Sequence, residues 1–341
     1  MANPPISTWT LLPYRYKRAL PLAVVFMIIG SISWVISLPR DAPTWTTGQS
    51  EYEFPLKKQL SSVFPYNVSK DLPKLMWQTW KMSPVDKGFD GQFRTATASW
   101  DILNPDFEHE VITDGAAVDI VHQLFADVPA VSEAYNALPQ PVLKADFFRY
   151  LILLARGGVY SDIDTTALKS VSHWIPSGLE PFGLGVGIEA DPDRPDWHDW
   201  YARRLQFCQW TIMSKPGHPV LVDIVASITE ETLERRARDE LEPKTMKTVM
   251  EFTGPGIWTD SIFTYLNITQ LREDSISSTP PAMTWQLFAN LREPIKVSDV
   301  LVLPITSFSP GVGHMGSRST DDRLAFVNHG FSGNLLFITP I

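Results

Sequence analysis

Two aspartates, Asp162 and Asp164, close an apolar run that covers residues 158–164. In an extended strand, alternate side chains point to the same side, so both carboxylates can meet while Ile163 anchors the backbone in the core. A carboxylate pair completed by phosphate oxygens is a typical site for a hard divalent cation such as Mn²⁺ or Mg²⁺. No His-x-x-x-His or Cys-x-x-Cys pattern in the sequence indicates zinc. The spacing therefore predicts metal-assisted chemistry on a substrate that carries a diphosphate.

The residues before this pair predict the elements that position it. Residues 144–156 have the pattern of a helix, which Gly157-Gly158 ends before the strand begins. Open α/β sheets bind ligands beyond the carboxyl ends of their strands, which is where Asp-x-Asp falls here. Asp146 and Arg149 are three residues apart on this helix and share one face. They can form either a surface ion pair or a part of the site.

The remaining pattern predicts an α/β fold. Helical stretches, of which residues 219–238 are the clearest, alternate with apolar runs that predict strands at residues 74–80, 109–113, 182–188 and 299–304. A chain of 341 residues with 44% hydrophobic residues can bury one large core. The net charge of -9, without a basic run, argues against nucleic acid as a partner. The single cysteine, Cys208, excludes an intrachain disulfide.

The N-terminal region predicts attachment to a membrane. Residues 19–38 carry no charge, and as a helix rising about 1.5 Å per residue they would cross a hydrocarbon layer of roughly 30 Å. Basic residues precede this segment, which places the short N-terminus in the cytoplasm. The alternative is a cleaved signal peptide, but the apolar run is too long and lacks an Ala-x-Ala site. We therefore expect a type II protein with a cytoplasmic tail at 1–18, a signal anchor at 19–38, a stem at 39–71 and a lumenal catalytic domain at 72–341.

Two sequons fit this topology. Asn67 and Asn267 each begin an Asn-x-Ser/Thr triplet, which is the acceptor for N-glycosylation in the lumen of the secretory pathway. Such triplets also arise by chance. Their support for a lumenal domain is therefore weak.

Several motifs occur in order along residues 72–334. The sequence contains Pro73-Lys74-Leu75-Met76-Trp77-Gln78-Thr79-Trp80-Lys81, Ala145-Asp146-Phe147-Phe148-Arg149-Tyr150, Gly157-Gly158-Val159-Tyr160-Ser161-Asp162-Ile163-Asp164-Thr165, Phe252-Thr253-Gly254-Pro255-Gly256-Ile257-Trp258, Phe308-Ser309-Pro310-Gly311 and Asn328-His329-Gly330-Phe331-Ser332-Gly333. With these motifs the chain resembles the DXD-containing glycosyltransferases related to the fungal initiation-specific α-1,6-mannosyltransferases, glycosyltransferase family 32. The sequence departs from that family at Gly333-Asn334-Leu335, where relatives place a hydroxyl residue and a tryptophan.

The resemblance implies a GT-A (Rossmann-like) fold, a nucleotide-sugar donor and transfer with retention at the anomeric carbon. It implies a divalent metal, Mn²⁺ or Mg²⁺, with Asp164 as the direct ligand and Asp162 as a contact of the donor or of bound water. His329 would be a further ligand of the metal or the diphosphate.

The resemblance also implies a set of donor-binding residues. Asp146 and Arg149 would bind hydroxyls of the donor sugar or ribose, and Tyr160 would line the donor cleft. Trp77 can stack on the donor base or belong to the core. His314, in a loop near the C-terminus, can be structural or catalytic.

The function that the resemblance implies is transfer of mannose from GDP-mannose to a mannose-rich N-glycan, through an α-1,6 linkage, in the Golgi membrane. One alternative is a mannosyltransferase that acts on inositol phosphorylceramide, although its relatives tend to carry extra C-terminal membrane spans. Another is a non-catalytic, glycan-binding subunit of a mannosyltransferase complex. Retention is compatible with same-face attack and with double displacement, and no carboxylate stands out in the sequence as a nucleophile.

Overall fold

The computed structural model describes residues 55–192, 194–273 and 282–332. The predicted tail, the predicted membrane helix and the part of the predicted stem before Pro55 lie outside these ranges, as does Gly333-Asn334-Leu335. Among the helices within these ranges, none combines the length and the apolar character needed to cross a bilayer.

The described residues form a mixed α/β fold, as predicted. The strands are β1 Leu75–Trp80, β2 Glu108–Thr113, β3 Gly158–Ser161, β4 Thr165–Ala167, β5 Leu184–Ala190, β6 Gln206–Ser214, β7 Ile295–Val297, β8 Val300–Leu303 and β9 Val327–His329. The helices are α1 Pro55–Val63, α2 Gly91–Leu103, α3 Asp114–Leu124, α4 Pro129–Ala137, α5 Pro141–Arg156, α6 Pro219–Ala237, α7 Met246–Phe252 and α8 Pro255–Glu273.

Seven of the described strands form one sheet in the order β2-β1-β3-β6-β5-β8-β7. Strands β1, β2 and β3 run parallel, whereas β6 is antiparallel to both of its neighbours, β3 and β5. Because the carboxyl ends of parallel strands meet at one edge, the residues after β1, β2 and β3 lie together. The other two strands, β4 and β9, pair antiparallel in a small separate sheet that brings the C-terminal part of the described chain to this edge.

Helix α5 lies in the centre of the molecule and is buried on almost every side. All its residues from Asp146 to Leu154 are buried, and it packs against β1, β3, β6 and α6. It ends at Gly157, which has a positive φ of 66° and whose missing Cβ leaves room for the backbone of Ser214 and Pro216. Strand β3 therefore begins immediately after the helix, with little freedom in its direction.

The folded body begins before residue 72, which corrects the predicted stem. Residues of the predicted stem from Pro55 onward include helix α1, which packs against α6. Leu60 is completely buried in the main core, and Tyr66 donates a hydrogen bond to Asp299 just before β8. Pro43, Pro55 and Pro65, without a sustained apolar pattern between them, suggested an extended stem. Helix α1 nevertheless begins at Pro55, a position where proline is compatible with a helix.

Two strand predictions also change. Strand β3 ends at Ser161 rather than continuing through Asp164. Strand β6 was not predicted, because its buried face includes Gln206, Thr211 and Ser214 and the segment lacks a continuous apolar run. It nevertheless lies between β3 and β5 in the middle of the sheet, where side-chain hydrogen bonds satisfy several of its polar groups.

Candidate active site

Asp162, Ile163 and Asp164 form a tight turn after β3, not the last residues of the strand. The turn is closed by the backbone N–H of Thr165, which donates to the carbonyl of Asp162 at 3.1 Å. The N–H of Asp162 donates to the carbonyl of Trp210 on β6 at 2.8 Å, and the amide of Gln78 donates to the carbonyl of Asp162 at 2.9 Å. This turn has the same effect that strand alternation would have, because it brings both carboxylates to one side.

His329 joins these carboxylates, as the resemblance implied. Ligand atoms of Asp162, Asp164 and His329 all lie within 4.8 Å of one another. The β4–β9 pairing places Thr165 opposite His329, and the N–H of Gly330 donates to the carbonyl of Asp164 at 2.8 Å. One oxygen of the Asp164 carboxylate accepts from the N–H of Ser332 at 2.8 Å. The end of the described chain is thus attached to the turn by backbone contacts.

The orientation of the His329 ring is fixed by aromatic packing. The ring stacks on Trp210 with centroids 4.5 Å apart and an angle of 10° between the planes, and Phe331 packs against its edge. Its Nε2 lies 3.2 Å from Oδ1 of Asp164. Its Nδ1 is buried and has no hydrogen-bond partner in the described part of the chain.

Arg149 on α5 connects two of the acidic side chains. Its Nη2 lies 3.1 Å from Oδ1 of Asp146 and 3.3 Å from Oδ1 of Asp162. Asp146 is 3% exposed and Arg149 is 4% exposed, so the interpretation of this pair as a surface ion pair is wrong. A buried cation between two carboxylates offsets their repulsion and compensates part of the desolvation cost.

Asp146 is held by residues that the sequence did not identify as a group. Its two carboxylate oxygens accept from Thr253 at 2.9 Å and from Gln209 at 3.3 Å. Tyr150 in turn donates to the side-chain carbonyl of Gln209 at 2.8 Å. Thr253 belongs to one of the motifs that carry the family resemblance, whereas Gln209 lies in the unpredicted strand β6 and had no signal.

The carboxylates differ in their proton affinity. Burial raises the pKa of Asp146 to about 6, although the charge of Arg149 and the hydrogen bond from Thr253 lower it. Burial likewise raises the pKa of Asp162, again opposed by Arg149. For Asp164, burial would raise the pKa, but the bonds from His329 and from the N–H of Ser332 hold it below its ordinary value. Asp164 is therefore the carboxylate most readily ionised at this site, which fits its predicted role as the direct metal ligand.

Tyr160 and Trp77 have different positions from those expected. The Tyr160 side chain is fully buried and donates to Oδ1 of Asp162 at 2.9 Å, so it supports the carboxylate from behind instead of lining an open cleft. Trp77 is buried in the main core and donates to the carbonyl of Gly157 at 2.9 Å, so stacking on a donor base is not supported. His314 is exposed, and its backbone carbonyl accepts from the N–H of Ser317.

A cavity of about 240 Å³ opens at the carboxyl ends of β1 and β2. Thr79, which lines it, lies 3.1 Å from the hydroxyl of Tyr160, the same hydroxyl that bonds Asp162. The cavity therefore begins two hydrogen bonds away from the candidate metal site. Its lining also includes Ile112, Asp114, Ala117, Tyr135, Lys144 and Phe148.

Comparisons with known proteins agree with this geometry. Residues 90–179 match the family model of the glycosyltransferase sugar-binding region containing a DXD motif. The chain is 48% identical to an initiation-specific alpha-1,6-mannosyltransferase of Candida albicans, over 83% of this chain and 77% of the relative. A protein of the same name from Schizosaccharomyces pombe is 50% identical, over 79% of this chain and 65% of the relative. For the one from Saccharomyces cerevisiae, the identity is 37%, over 82% of this chain and 81% of the relative. The chain therefore belongs to the family of the initiation-specific alpha-1,6-mannosyltransferases.

Proposed function

We propose that this chain is a retaining, metal-dependent mannosyltransferase with a GT-A fold, which transfers mannose from GDP-mannose to a mannose-rich N-glycan through an α-1,6 linkage. The observation that carries the proposal is the meeting of Asp162, Asp164 and His329 at the carboxyl edge of the sheet. The names of the three relatives support mannose as the transferred sugar and α-1,6 as the linkage.

The residues of the cluster fit a divalent cation. Two carboxylates and one imidazole suit Mn²⁺, with Mg²⁺ as the alternative for the oxygen ligands. His329 is already oriented by Trp210, and its Nε2 faces the carboxylate of Asp164. When bound, such a cation neutralises the negative charge that develops on the departing nucleoside diphosphate.

The other side chains of the site have positioning roles. Arg149 forms an ion pair with the Asp162 carboxylate, and the hydroxyl of Tyr160 donates a hydrogen bond to it. These two contacts fix the orientation of the carboxylate before substrate binds. Asp146 already accepts from Thr253 and Gln209 and pairs with Arg149. This favours Asp146 as a support for the guanidinium over direct binding of a sugar hydroxyl.

The cavity supports a guanine nucleotide as the donor. It lies at the carboxyl ends of β1 and β2, where Asp114 lines it, and Thr79 and Tyr160 connect it to Asp162 through hydrogen bonds. A carboxylate only accepts hydrogen bonds, and guanine offers two adjacent N–H donors on N1 and N2. Uracil has a single N–H between two carbonyl oxygens, which a carboxylate would repel. Asp114 is therefore matched to GDP in preference to UDP.

A Golgi location and a type II anchor are also part of the proposal. They rest on the uncharged segment at residues 19–38 and the basic residues before it. The exposed Asn67 sequon is compatible with a lumenal position of the described residues.

A thermal-shift comparison tests the choice of donor. With Mn²⁺ present, GDP-mannose should raise the melting temperature of the lumenal domain, whereas UDP-galactose and UDP-N-acetylglucosamine should not. Asp114→Asn should reduce the shift caused by GDP-mannose. Asp119→Asn is the matched control, because Asp119 is an exposed residue of the same helix, α3, and does not line the cavity. Equal shifts with UDP sugars, or no shift with GDP-mannose, would refute the proposed donor.

A further inference from the structure

Lys144 is a charged residue of the cavity to which the proposed function gives no role. It lies near the start of helix α5 and lines the cavity together with Asp114, the first residue of α3. Asp114 is exposed and Lys144 is half-buried, so a ligand in the cavity can reach both. Within the part of the chain that the structure describes, neither charge has an ion-pair partner. Two opposite charges that line one cavity without pairing are both available to a ligand that offers an acceptor and a donor.

The ammonium group of Lys144 lies near an aromatic wall of the cavity. Its Nζ is 5.7 Å from the centroid of the Tyr135 ring, and Tyr135 also lines the cavity. No oxygen atom of the described residues accepts a hydrogen bond from this ammonium. The ring attracts the positive charge without using the N–H groups as an acceptor would, so these groups remain able to donate to a ligand.

The size and the walls of the cavity fit one planar base. Its volume of about 240 Å³ lies below the roughly 300 to 1,000 Å³ of pockets that enclose a whole drug-sized ligand. Ile112, Tyr135 and Phe148 supply apolar and aromatic walls. The cavity is therefore suited to a flat heterocycle, with the rest of a nucleotide sugar outside it.

The position of Lys144 on helix α5 assigns it to the base and not to the diphosphate. Arg149, on the same helix, lies 3.3 Å from the Asp162 carboxylate of the candidate metal site. With a rise of about 1.5 Å per residue, Lys144 is roughly 7.5 Å from Arg149 along the helix axis. A diphosphate bound at the metal site would lie near Arg149. The group near Lys144 would then be the base in the cavity.

We propose that Lys144 donates a hydrogen bond to O6 of guanine, while Asp114 accepts from N1 and N2 of the same base. Guanine has the acceptor O6 beside these two donors on one edge. Adenine has an amino group at position 6, to which an ammonium cannot donate. Lys144 is thus a residue that determines specificity for the nucleotide. The inference rests on the proposed function, because it assumes that the donor carries guanine.

Calorimetric titration of the purified protein with nucleoside diphosphates tests this contact without sugar transfer. In 6-thio-GDP, sulfur, a weaker acceptor, replaces O6, and inosine diphosphate lacks the amino group at position 2. With Mn²⁺ present, the wild type should bind 6-thio-GDP more weakly than GDP. Lys144→Met should weaken the binding of GDP and of inosine diphosphate by about tenfold, and that of 6-thio-GDP by less than about twofold.

Asp114→Asn should have the complementary effect. It should weaken the binding of GDP more than that of inosine diphosphate, because only GDP has the amino group that Asp114 accepts from. It should weaken GDP and 6-thio-GDP alike. A merely structural disturbance of the cavity would reduce the affinity for all three nucleotides equally.

Two further variants serve as controls. Arg156→Met removes an exposed cation of the same helix that does not line the cavity, and it should change none of the three affinities. Lys144→Arg keeps a charged donor at the position and should retain the preference for GDP over 6-thio-GDP.

The outcomes distinguish this inference from the proposed function. An equal loss of GDP and 6-thio-GDP binding in Lys144→Met, or no loss of either, would overturn the role of Lys144 even if the protein transfers mannose. A wild type that does not bind GDP, or that binds 6-thio-GDP as tightly, would also overturn it. If GDP binds with the preference that depends on Lys144 but no mannose is transferred, the inference is supported and the proposed function fails.

Discussion

Arg149 is the residue on which the charge balance of the site depends. Its guanidinium is buried between Asp146 and Asp162, and Tyr160 packs against it at 5.2 Å from the ring centroid. Without this cation, two buried carboxylates would lie close together with little solvent to screen them. Burial raises the pKa of Asp162, and the charge of Arg149 opposes that rise.

The pH dependence of stability tests the burial of Asp146. Its native pKa of about 6 lies above the ordinary value of 3.8, so the native state binds this proton more tightly than the unfolded chain. The free energy of unfolding should therefore fall as the pH rises from 4 to 7, by up to about 3 kcal/mol from this group. Asp146→Asn should remove that part of the decrease, as measured by denaturant unfolding at both pH values.

The control for this prediction is Asp127→Asn, which changes an exposed aspartate. It should keep the wild-type dependence on pH. An Asp146→Asn protein whose unfolding free energy falls as steeply as that of the wild type would show that Asp146 is not a source of the effect.

Residue types and spacing predicted part of this site. Asp162 and Asp164 were found from their spacing together with the helix, the Gly-Gly break and the apolar run that precede them. His329 was added only through the family resemblance, because it lies 165 positions after Asp164 in the sequence. Gln209 was missed, since it acts through neighbours that only the sheet brings together. For Trp77 the sequence left two roles open, because an aromatic residue in a first strand can serve the core or a ligand, and the structure places it in the core.

At the scale of elements, helix α1 shows how a proline-containing segment can belong to the core. Lys57 forms an ion pair with Asp223 of α6, and Leu60 is completely buried. Leu60→Ala should lower the free energy of unfolding by roughly 2 to 5 kcal/mol, because it leaves a cavity in the main core. Ser62→Ala, at an exposed position of the same helix, should change it by less than about 0.5 kcal/mol.

Chemical denaturation of the two variants and the wild type gives this comparison. If Leu60→Ala were as stable as Ser62→Ala, helix α1 would be an appendage of the folded body, as the predicted stem implied.

The two sequons differ in the elements that hold them. Asn267 lies within helix α8, where its side-chain amide donates to the carbonyls of Phe263 and Met283 and accepts from the N–H of Met283. A glycan attached to this nitrogen would disrupt the hydrogen bonds that the amide donates to Phe263 and Met283. Asn67 is exposed, and among the described hydrogen bonds its side chain has one, which Oδ1 accepts from the N–H of Ser69. We therefore expect a glycan at Asn67 and none at Asn267.

Expression in a secretory pathway, followed by glycosidase treatment and mass measurement, checks this expectation. Asn67→Gln should remove the glycan, and Asn267→Gln should leave the glycosylated mass unchanged. A loss of glycan mass in Asn267→Gln would contradict the assignment.

Elements were predicted well where the sequence pattern is local. The helices at residues 144–156 and 219–238 and the strands around β1, β2 and β8 appear within a few residues of their predicted bounds. Strand β6 was missed because its polar groups have partners distant in sequence. The hydroxyl of Thr211 is hydrogen-bonded to that of Ser161, and the backbone N–H of Phe207 donates to the hydroxyl of Thr259. The end of β3 was placed too late, since the turn at Asp162 is stabilised by Gln78 and Trp210 from other strands.

At the scale of the whole molecule, the fold brings residues from distant parts of the sequence to one edge of the sheet. The carboxyl ends of β1, β2 and β3 supply the cavity and the Asp162–Asp164 turn, and the β4–β9 sheet adds His329. The chain carries a net charge of -9, and the site proposed for a diphosphate already contains carboxylates. Arg149, which pairs with Asp162, is a cation at this site. A divalent cation at the cluster is therefore an electrostatic requirement of the proposed function.

The most direct test of that claim is mannose transfer by the purified protein from GDP-mannose to a mannose-rich oligosaccharide. We predict transfer with Mn²⁺, its loss with a chelator and its return when Mn²⁺ is added back. Asp164→Asn should reduce the rate by roughly 100-fold or more, whereas Asp127→Asn should retain it. Transfer that persists in the chelator, or an Asp164→Asn protein with the wild-type rate, would contradict the central role of this cluster.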